Sequence, residues 1–207
     1  MKKIMFNDKF GLTDAVLQGR KTMTRRPVGN RMTDDDIKAY LKGYAELANK
    51  CAYYKIGEVV AVAQSYKDAG IDPHFLMFQP IDGSTYFAKM EIEAMFTEGW
   101  NNKMFVRADL MTHQIRITDI KVERLQDISE EDVYKEGFRK ESINNGWGNA
   151  AWHWESVLTY MDRLGCYKQI RSENPKEAFS LLIDKVSGVG TWERNPWVFA
   201  YSFELCK

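Results

Sequence analysis

Apolar and polar residues alternate through the segment His113–Leu125, which is the period of a half-buried β-strand. Its apolar positions are Ile115, Ile117, Ile120 and Val122, so the phase shifts by one residue between the second and the third, which indicates a β-bulge. Shorter apolar runs predict further strands over Lys3–Phe6, Glu58–Ser65, Tyr86–Glu93 and Trp197–Leu205.

Helical periodicity and capping residues predict four helices between these strands. Thr33 is followed by three aspartates, a typical helix N-terminus, and that helix is predicted to run to about Cys51. Ser129, with Asp132 three residues later, approximates a capping box. The predicted helices therefore span Thr13–Gln18, Thr33 to about Cys51, Ser129–Glu136, and Pro175 to about Val186 with Asn174 before its first proline. Strands and helices together predict an α+β fold.

Length and composition favour one globular domain over residues 1–207. The chain has 29 Lys and Arg against 29 Asp and Glu, so any attraction for a polyanion has to be local. No apolar run is long enough for a membrane span, and the first residues lack the pattern of a secretory signal peptide. Three isolated cysteines, Cys51, Cys166 and Cys206, fit a reducing compartment, so we expect a cytoplasmic protein.

The segment Gly19–Pro27 gathers four cationic side chains and two threonine hydroxyls immediately behind a predicted helix. Gly19 suits the helix end, and Pro27 interrupts any regular hydrogen-bonded element. A turn over this segment would bring Lys21 and Thr24 to one face, because positions three apart share a face in a helical turn. A neighbouring amine and hydroxyl can act as base and nucleophile, or as two donors to a phosphate. A solvated basic turn without a ligand is the alternative.

Gly19, Lys21 and Arg26 resemble the Gly-x-Lys-x-x-x-x-Arg signature of the ASCH domain family, in particular its larger phage- and prophage-associated bacterial members. The resemblance implies a small mixed β-barrel of the PUA superfamily, with flanking helices. It further implies inserted helical segments, placed at about 68–103 and 139–173. The other matching segments are Lys55–Val62, Arg116–Leu125, Ile128–Phe138 and Asn195–Glu204.

The same resemblance implies two functions. In the first, a basic cleft binds RNA, a nucleotide or a nucleoside through Gly19, Arg25, Arg26 and Arg116, with Lys21 as a further phosphate contact. In the second, the protein resembles small ASCH amidohydrolases that deacylate the exocyclic amine of acylated cytidine. The residues carried over are Thr24 as nucleophile, Lys21 as base and Glu136 as acid. Position 25 is arginine where those small enzymes have an apolar residue.

No metal or cofactor is expected. The three histidines, His74, His113 and His153, are far apart in sequence, and no pair has the spacing of zinc ligands. A tryptophan-rich segment around Trp147, Trp152 and Trp154 either stacks nucleobases or, as the simpler interpretation, belongs to a helix packed on the barrel.

Overall fold

The computed structural model describes residues 1–71, 98–144, 151–161 and 166–206, and the fold is α+β as predicted. The strands are β1 (Lys3–Ile4), β2 (Met23–Pro27), β3 (Val59–Val62), β4 (Gln114–Arg124), β5 (Arg139–Asn144), β6 (Ala151–Met161), β7 (Tyr167–Ser172) and β8 (Trp197–Cys206). The helices are α1 (Leu12–Leu17), α2 (Asp34–Leu41), α3 (Glu46–Cys51), α4 (Tyr66–Ala69), α5 (Glu130–Lys135), α6 (Pro175–Ser187) and α7 (Thr191–Arg194).

Five strands form a mixed sheet in the order β1-β3-β4-β8-β2. Strands β1 and β3 are parallel, whereas β2 and β8 are antiparallel, with Thr24 opposite Tyr201 and Arg25 opposite Ala200. In the part of the chain that the structure describes, the two outer strands of this order do not pair with each other. The described strands therefore form an open sheet and not the closed barrel predicted from the resemblance.

Strand β4 has the burial pattern that the sequence predicts. Ile115 and Ile117 are buried on one phase of the alternation, and Ile120 and Val122 are buried on the shifted phase. The predicted strands Lys3–Phe6, Glu58–Ser65 and Trp197–Leu205 are also present, with slightly different ends. The predicted strand Tyr86–Glu93 lies outside the described residues.

The helix predicted from Thr33 to about Cys51 is two helices, α2 and α3. Thr33 caps α2 in a full capping box with Asp36. The predicted helix is interrupted between α2 and α3 because Gly43 has φ 109°, a value that an α-helix does not accommodate. Lys55 then closes the end of α3, where its Nζ donates to the carbonyls of Asn49 at 2.9 Å and Ala52 at 2.7 Å.

Within the second predicted inserted helical region, 139–173, the described residues form instead a three-stranded antiparallel sheet in the order β5-β6-β7. The prediction of helix was wrong here, because the backbone around Trp152 and Trp154 is the extended strand β6. Helix α6 packs on β7. Trp147 and most of the first predicted insertion, 72–97, lie outside the described residues.

The chain divides into two compact units. The first contains Met1–Phe6 and Val59–Ile115, with Cys206–Lys207. Its core is a cluster of the buried residues Ala61, Ala63, Tyr66, Val106 and Met111.

The second unit contains Asn7–Glu58 and Arg116–Leu205. It holds the antiparallel pair β2/β8, helices α5 and α6, and every predicted candidate site residue. Its largest fully buried side chains include Tyr201, Phe179 and Phe199. No helix in the described ranges of either unit has the length and apolarity needed to cross a bilayer.

Gly137, the second residue after α5, has φ 108°, a conformation that L side chains rarely adopt. Gly19 has φ 71°, inside the left-handed region that other residues can reach at a smaller cost. We expect Gly137→Ala to lower the free energy of unfolding by about 2–3 kcal/mol and Gly19→Ala by about 1 kcal/mol. Denaturant unfolding of both variants checks this order, and equal losses would contradict it.

Candidate functional site

The segment Gly19–Pro27 is mostly an edge strand, and the predicted turn over Lys21–Arg26 is wrong. Hydrogen bonds of Met23–Pro27 to β8 extend the backbone, a pairing that the local sequence does not reveal. Lys21 precedes the strand, and its backbone N–H donates to Ala15 O at the end of α1, at 2.9 Å. Since side chains alternate along a strand, Thr24 and Arg25 project to opposite faces of β2.

Lys21 and Glu136 meet in a buried ion pair, so the structure brings these two predicted residues together. Their side chains are 2% and 5% exposed, and Lys21 Nζ donates to Glu136 Oε2 and, at 3.0 Å, to the carbonyl of the same residue. Burial lowers the pKa of Lys21 below its ordinary 10.5; Glu136 opposes this, whereas the charges of Arg26 and Arg25 add to it. A lysine held in this way can become a neutral amine more easily than a solvated one.

Arg25 is the centre of a second set of ion pairs on the same carboxylate. Its Nη1 donates to Glu136 Oε1 at 3.0 Å, and its Nη2 donates to Glu123 Oε1 at 2.7 Å and Asp132 Oδ2 at 3.2 Å. The guanidinium also lies 5.8 Å from the centre of the Phe179 ring on α6. Burial opposes its charge, but Glu136 and Glu123 outweigh that effect and raise the pKa of Arg25, which stays a cation.

This network neutralises two of the four motif cations inside the protein. Two cations, Lys21 and Arg25, meet three carboxylates, and Lys135 joins them through Asp132 Oδ1 at 3.3 Å. The Arg25 side chain is 1% exposed. Its donors are directed at protein carboxylates, and a phosphate could reach them only by displacing those carboxylates. The phosphate contact predicted for Arg25 therefore finds no support in this geometry.

The opposite face of β2 carries Thr24 and Arg26 beside a row of tyrosines. Thr24 lies opposite Tyr201, whose ring is 5.4 Å from that of Tyr54. The Thr24 side chain is buried, and within the described ranges its hydroxyl has no hydrogen-bond partner. Burial raises the pKa of Tyr54 to about 12 even though the charge of Arg26 lowers it, so Tyr54 keeps its phenolic proton at neutral pH.

Lys21 is within electrostatic range of both faces of the strand. The charges of Arg25 and Arg26, which project to opposite sides of β2, both act on the Lys21 amine.

Two arginines of this unit are exposed and stacked on aromatic rings. Arg31 lies 4.8 Å from the centre of the Tyr53 ring, and Arg124 lies 4.4 Å from the centre of the Trp197 ring. In the described residues, neither arginine has a carboxylate partner. The predicted contact Arg116 is half-exposed and approaches Glu204 at 3.8 Å.

Sequence reasoning did not predict Glu123, Tyr54, Arg31 or Arg124 as site residues. Asp132 was predicted only as a capping residue. Ser129 does accept the Asp132 backbone N–H, at 3.1 Å, but the Asp132 carboxylate binds Arg25. The sequence shows an aspartate, Asp132, and a glutamate, Glu123, on the predicted helix and strand. No local pattern indicates that both side chains bind the same arginine.

Among the residues that the structure describes, no three His, Cys, Asp or Glu side chains lie in an arrangement that could hold a metal ion. No family model, curated protein or solved structure matches this chain. The site is therefore interpreted from its own geometry.

We expect Glu136→Gln to lower the free energy of unfolding by about 3–5 kcal/mol, because it removes the partner shared by two buried cations. Glu204→Gln is the matched control, since its ion pair with Arg116 is exposed and contributes about 0–1 kcal/mol. Urea unfolding at pH 7 measures both. A loss below about 1 kcal/mol for Glu136→Gln would contradict the shared buried pair.

Proposed function

We propose that the protein is an amidohydrolase that removes the acyl group from the exocyclic amine of acylated cytidine. The observation that supports it most is the buried contact of Lys21 with Glu136. Thr24, three residues after Lys21, is also buried, and its hydroxyl has no hydrogen-bond partner in the described part of the chain. A lysine with a lowered pKa is the kind of base that can activate a threonine nucleophile.

In the proposed reaction, Thr24 Oγ1 attacks the amide carbonyl, and its proton passes to the neutral Lys21 amine. The C–N bond of the tetrahedral intermediate then breaks, and the Lys21 ammonium returns the proton to the departing amine of cytidine. Water hydrolyses the resulting acyl-threonine ester to release the carboxylic acid and free threonine. Each step balances with water as the one further reactant.

We assign Glu136 a role that differs from the proton donor suggested by the resemblance. Both of its carboxylate oxygens accept hydrogen bonds, one from Lys21 and the other from Arg25. A carboxylate that is occupied as an acceptor on both oxygens is suited to hold Lys21 in place. Proton donation to the leaving amine is therefore assigned to Lys21.

The tyrosine row on the Thr24 face supports an aromatic ligand through Tyr53, which is 43% exposed, whereas Tyr54 and Tyr201 are buried. Tyr54 and Tyr201 lie edge to face, and Tyr53 continues the row, with its ring 4.8 Å from that of Tyr54. Aromatic side chains are favourable neighbours for a nucleobase, and a flat pyrimidine amide is the class of ligand that they suit. The neutral substrate also fits a site in which the two buried cations, Lys21 and Arg25, are already paired with a carboxylate.

A second candidate function is the binding of single-stranded RNA at the exposed arginines. It is favoured by Arg31 on Tyr53 and Arg124 on Trp197, two guanidinium groups that are oriented by rings and have no carboxylate partner in the described residues. Arginine beside an aromatic ring is a common way to contact a phosphate and a base together. This surface differs from the basic cleft of Lys21 and Arg25 predicted from the sequence.

We expect the wild-type protein to hydrolyse acetylcytidine, and Lys21→Met and Thr24→Ala each to lower kcat/KM by about 10²-fold or more, because each removes a group that reacts. Thr24→Ser is the matched control, since it keeps the hydroxyl and should retain measurable turnover. Chromatographic detection of released cytidine measures these rates. A folded wild-type protein without turnover on a panel of acylated cytosines would overturn the proposal.

For the second candidate, we expect Arg31→Ala and Arg124→Ala each to weaken binding of a single-stranded RNA oligomer. Each should reduce the slope of log K against log salt concentration by about 0.7, the value for one lost phosphate contact on a single strand. Arg107→Ala is the matched control, because Arg107 is exposed but paired with Asp109 at 2.6 Å. Fluorescence anisotropy at several salt concentrations gives the slopes, and unchanged slopes would exclude this surface.

A further inference from the structure

The two oxygens of the Glu136 carboxylate have different partners. Oε2 accepts from the Lys21 amine, and Oε1 accepts from Arg25 Nη1 at 3.0 Å. The carboxylate is therefore divided between a lysine that can lose its proton and an arginine that cannot.

We infer that Arg25 is a positioning residue of this site: it holds one oxygen of the Glu136 carboxylate, so that only the other carboxylate oxygen binds the Lys21 amine. The inference rests on the proposed function for its chemical meaning. Arg25 touches neither a reacting atom nor a ligand in this assignment, and it acts on Lys21 through Glu136.

The geometry of the guanidinium explains why this position is occupied by arginine. Its Nε and Nη2 both donate to Glu123 Oε1, at 2.9 and 2.7 Å, and Nη2 also reaches Asp132 Oδ2. Three carboxylates on β4 and on α5 and its end fix the planar group, and Phe179 lies beside it. An ammonium group is a point charge without this fork, so lysine cannot hold the three carboxylates in the same way.

Sharing Glu136 has an electrostatic consequence for Lys21. A carboxylate that paired with Lys21 alone would favour the ammonium form and leave less neutral amine to accept the Thr24 proton. Arg25 binds the other oxygen of the Glu136 carboxylate, which weakens the attraction between Glu136 and the Lys21 ammonium. Its own positive charge also disfavours the ammonium form of Lys21. The other charged groups that face the network are Arg26 on the Lys21 side, and Lys121 and Lys135 on the Asp132 side. With Arg25 removed, the balance at Lys21 shifts towards the protonated amine.

The test is a pH titration of the Lys21 side chain by heteronuclear NMR of lysine-labelled protein, with the signal assigned by its loss in Lys21→Met. We expect Arg25→Leu to raise the titration midpoint of Lys21 by about 1 pH unit or more, because a nearby charge typically shifts a pKa by 1–3 units. Arg124→Leu is the matched control, since it removes an exposed arginine outside the network and should leave the midpoint unchanged.

Arg25→Leu alone leaves Glu123 and Asp132 without their buried partner, and that variant can fail to fold. The triple variant Arg25→Leu/Glu123→Gln/Asp132→Asn removes both of these charges together with the arginine and leaves the Lys21–Glu136 pair intact. Because the loss of two carboxylates by itself lowers a nearby lysine pKa, the triple variant is compared with Glu123→Gln/Asp132→Asn, which differs from it only at position 25, and we expect the higher midpoint in the triple variant. A midpoint within about 0.3 units in folded Arg25→Leu and wild type, or in the triple and the double variant, would overturn the inference.

This titration needs no turnover, so the two proposals can fail separately. If the Lys21 midpoint rises in the Arg25 variant but the wild-type protein does not hydrolyse acylcytidine, the proposed reaction is overturned and the role of Arg25 stands. If the wild-type protein hydrolyses acylcytidine but the midpoint does not change in the variant, the reaction stands and the role of Arg25 is overturned. If both hold, the acidic limb of kcat/KM against pH should move in the variant by the same amount as the midpoint.

Discussion

The candidate site depends on one constraint: a single buried carboxylate, that of Glu136, has to satisfy two cations. Lys21 and Arg25 come from one short segment of chain, and Glu136 closes a helix more than a hundred residues later. Burying these charges is unfavourable unless each finds a partner with good geometry. Those partners are supplied by three features of the fold: the end of α5, the position of β2 against β8, and the placement of Glu123 on β4.

The same constraint separates two kinds of cation in this unit. Lys21 and Arg25 face inward and are matched by carboxylates, so they are poor candidates to attract a polyanion. Arg31 and Arg124 are exposed on aromatic rings. A count of positive charges in the Gly19–Pro27 segment does not distinguish the two groups, because their availability depends on partners that are distant in sequence. Chemistry at the buried lysine and binding at the exposed arginines are therefore separable properties.

Local signals predicted much of the fold. The shifted alternation of β4, the Thr33 cap of α2 and the proline at the start of α6 all appear in the structure, because each depends on residues within one element. The prediction of a single helix through residue 51 was wrong at Gly43, because the backbone conformation of that residue interrupts the helix although its neighbours favour one. The prediction of a turn over the motif was wrong because pairing of β2 with β8 extends a segment whose own residues favour a turn.

The pairing of Lys21 with Glu136 could be anticipated only from the family resemblance, and the role of Arg25 could not be anticipated at all. Its three carboxylates lie 98, 107 and 111 residues away in sequence. Contacts at such separations come from the assembly of the sheet and helices, and no spacing rule within the motif contains them.

The most direct test of this account is the absolute titration midpoint of the Lys21 amine in the unsubstituted protein, measured by NMR while the fold is monitored over the same pH range. We expect a midpoint below the ordinary 10.5, because burial outweighs the attraction of a carboxylate that is shared with Arg25. A midpoint at or above 10.5 would contradict it, since Lys21 would then be a permanently charged structural partner of Glu136 that cannot serve as a base.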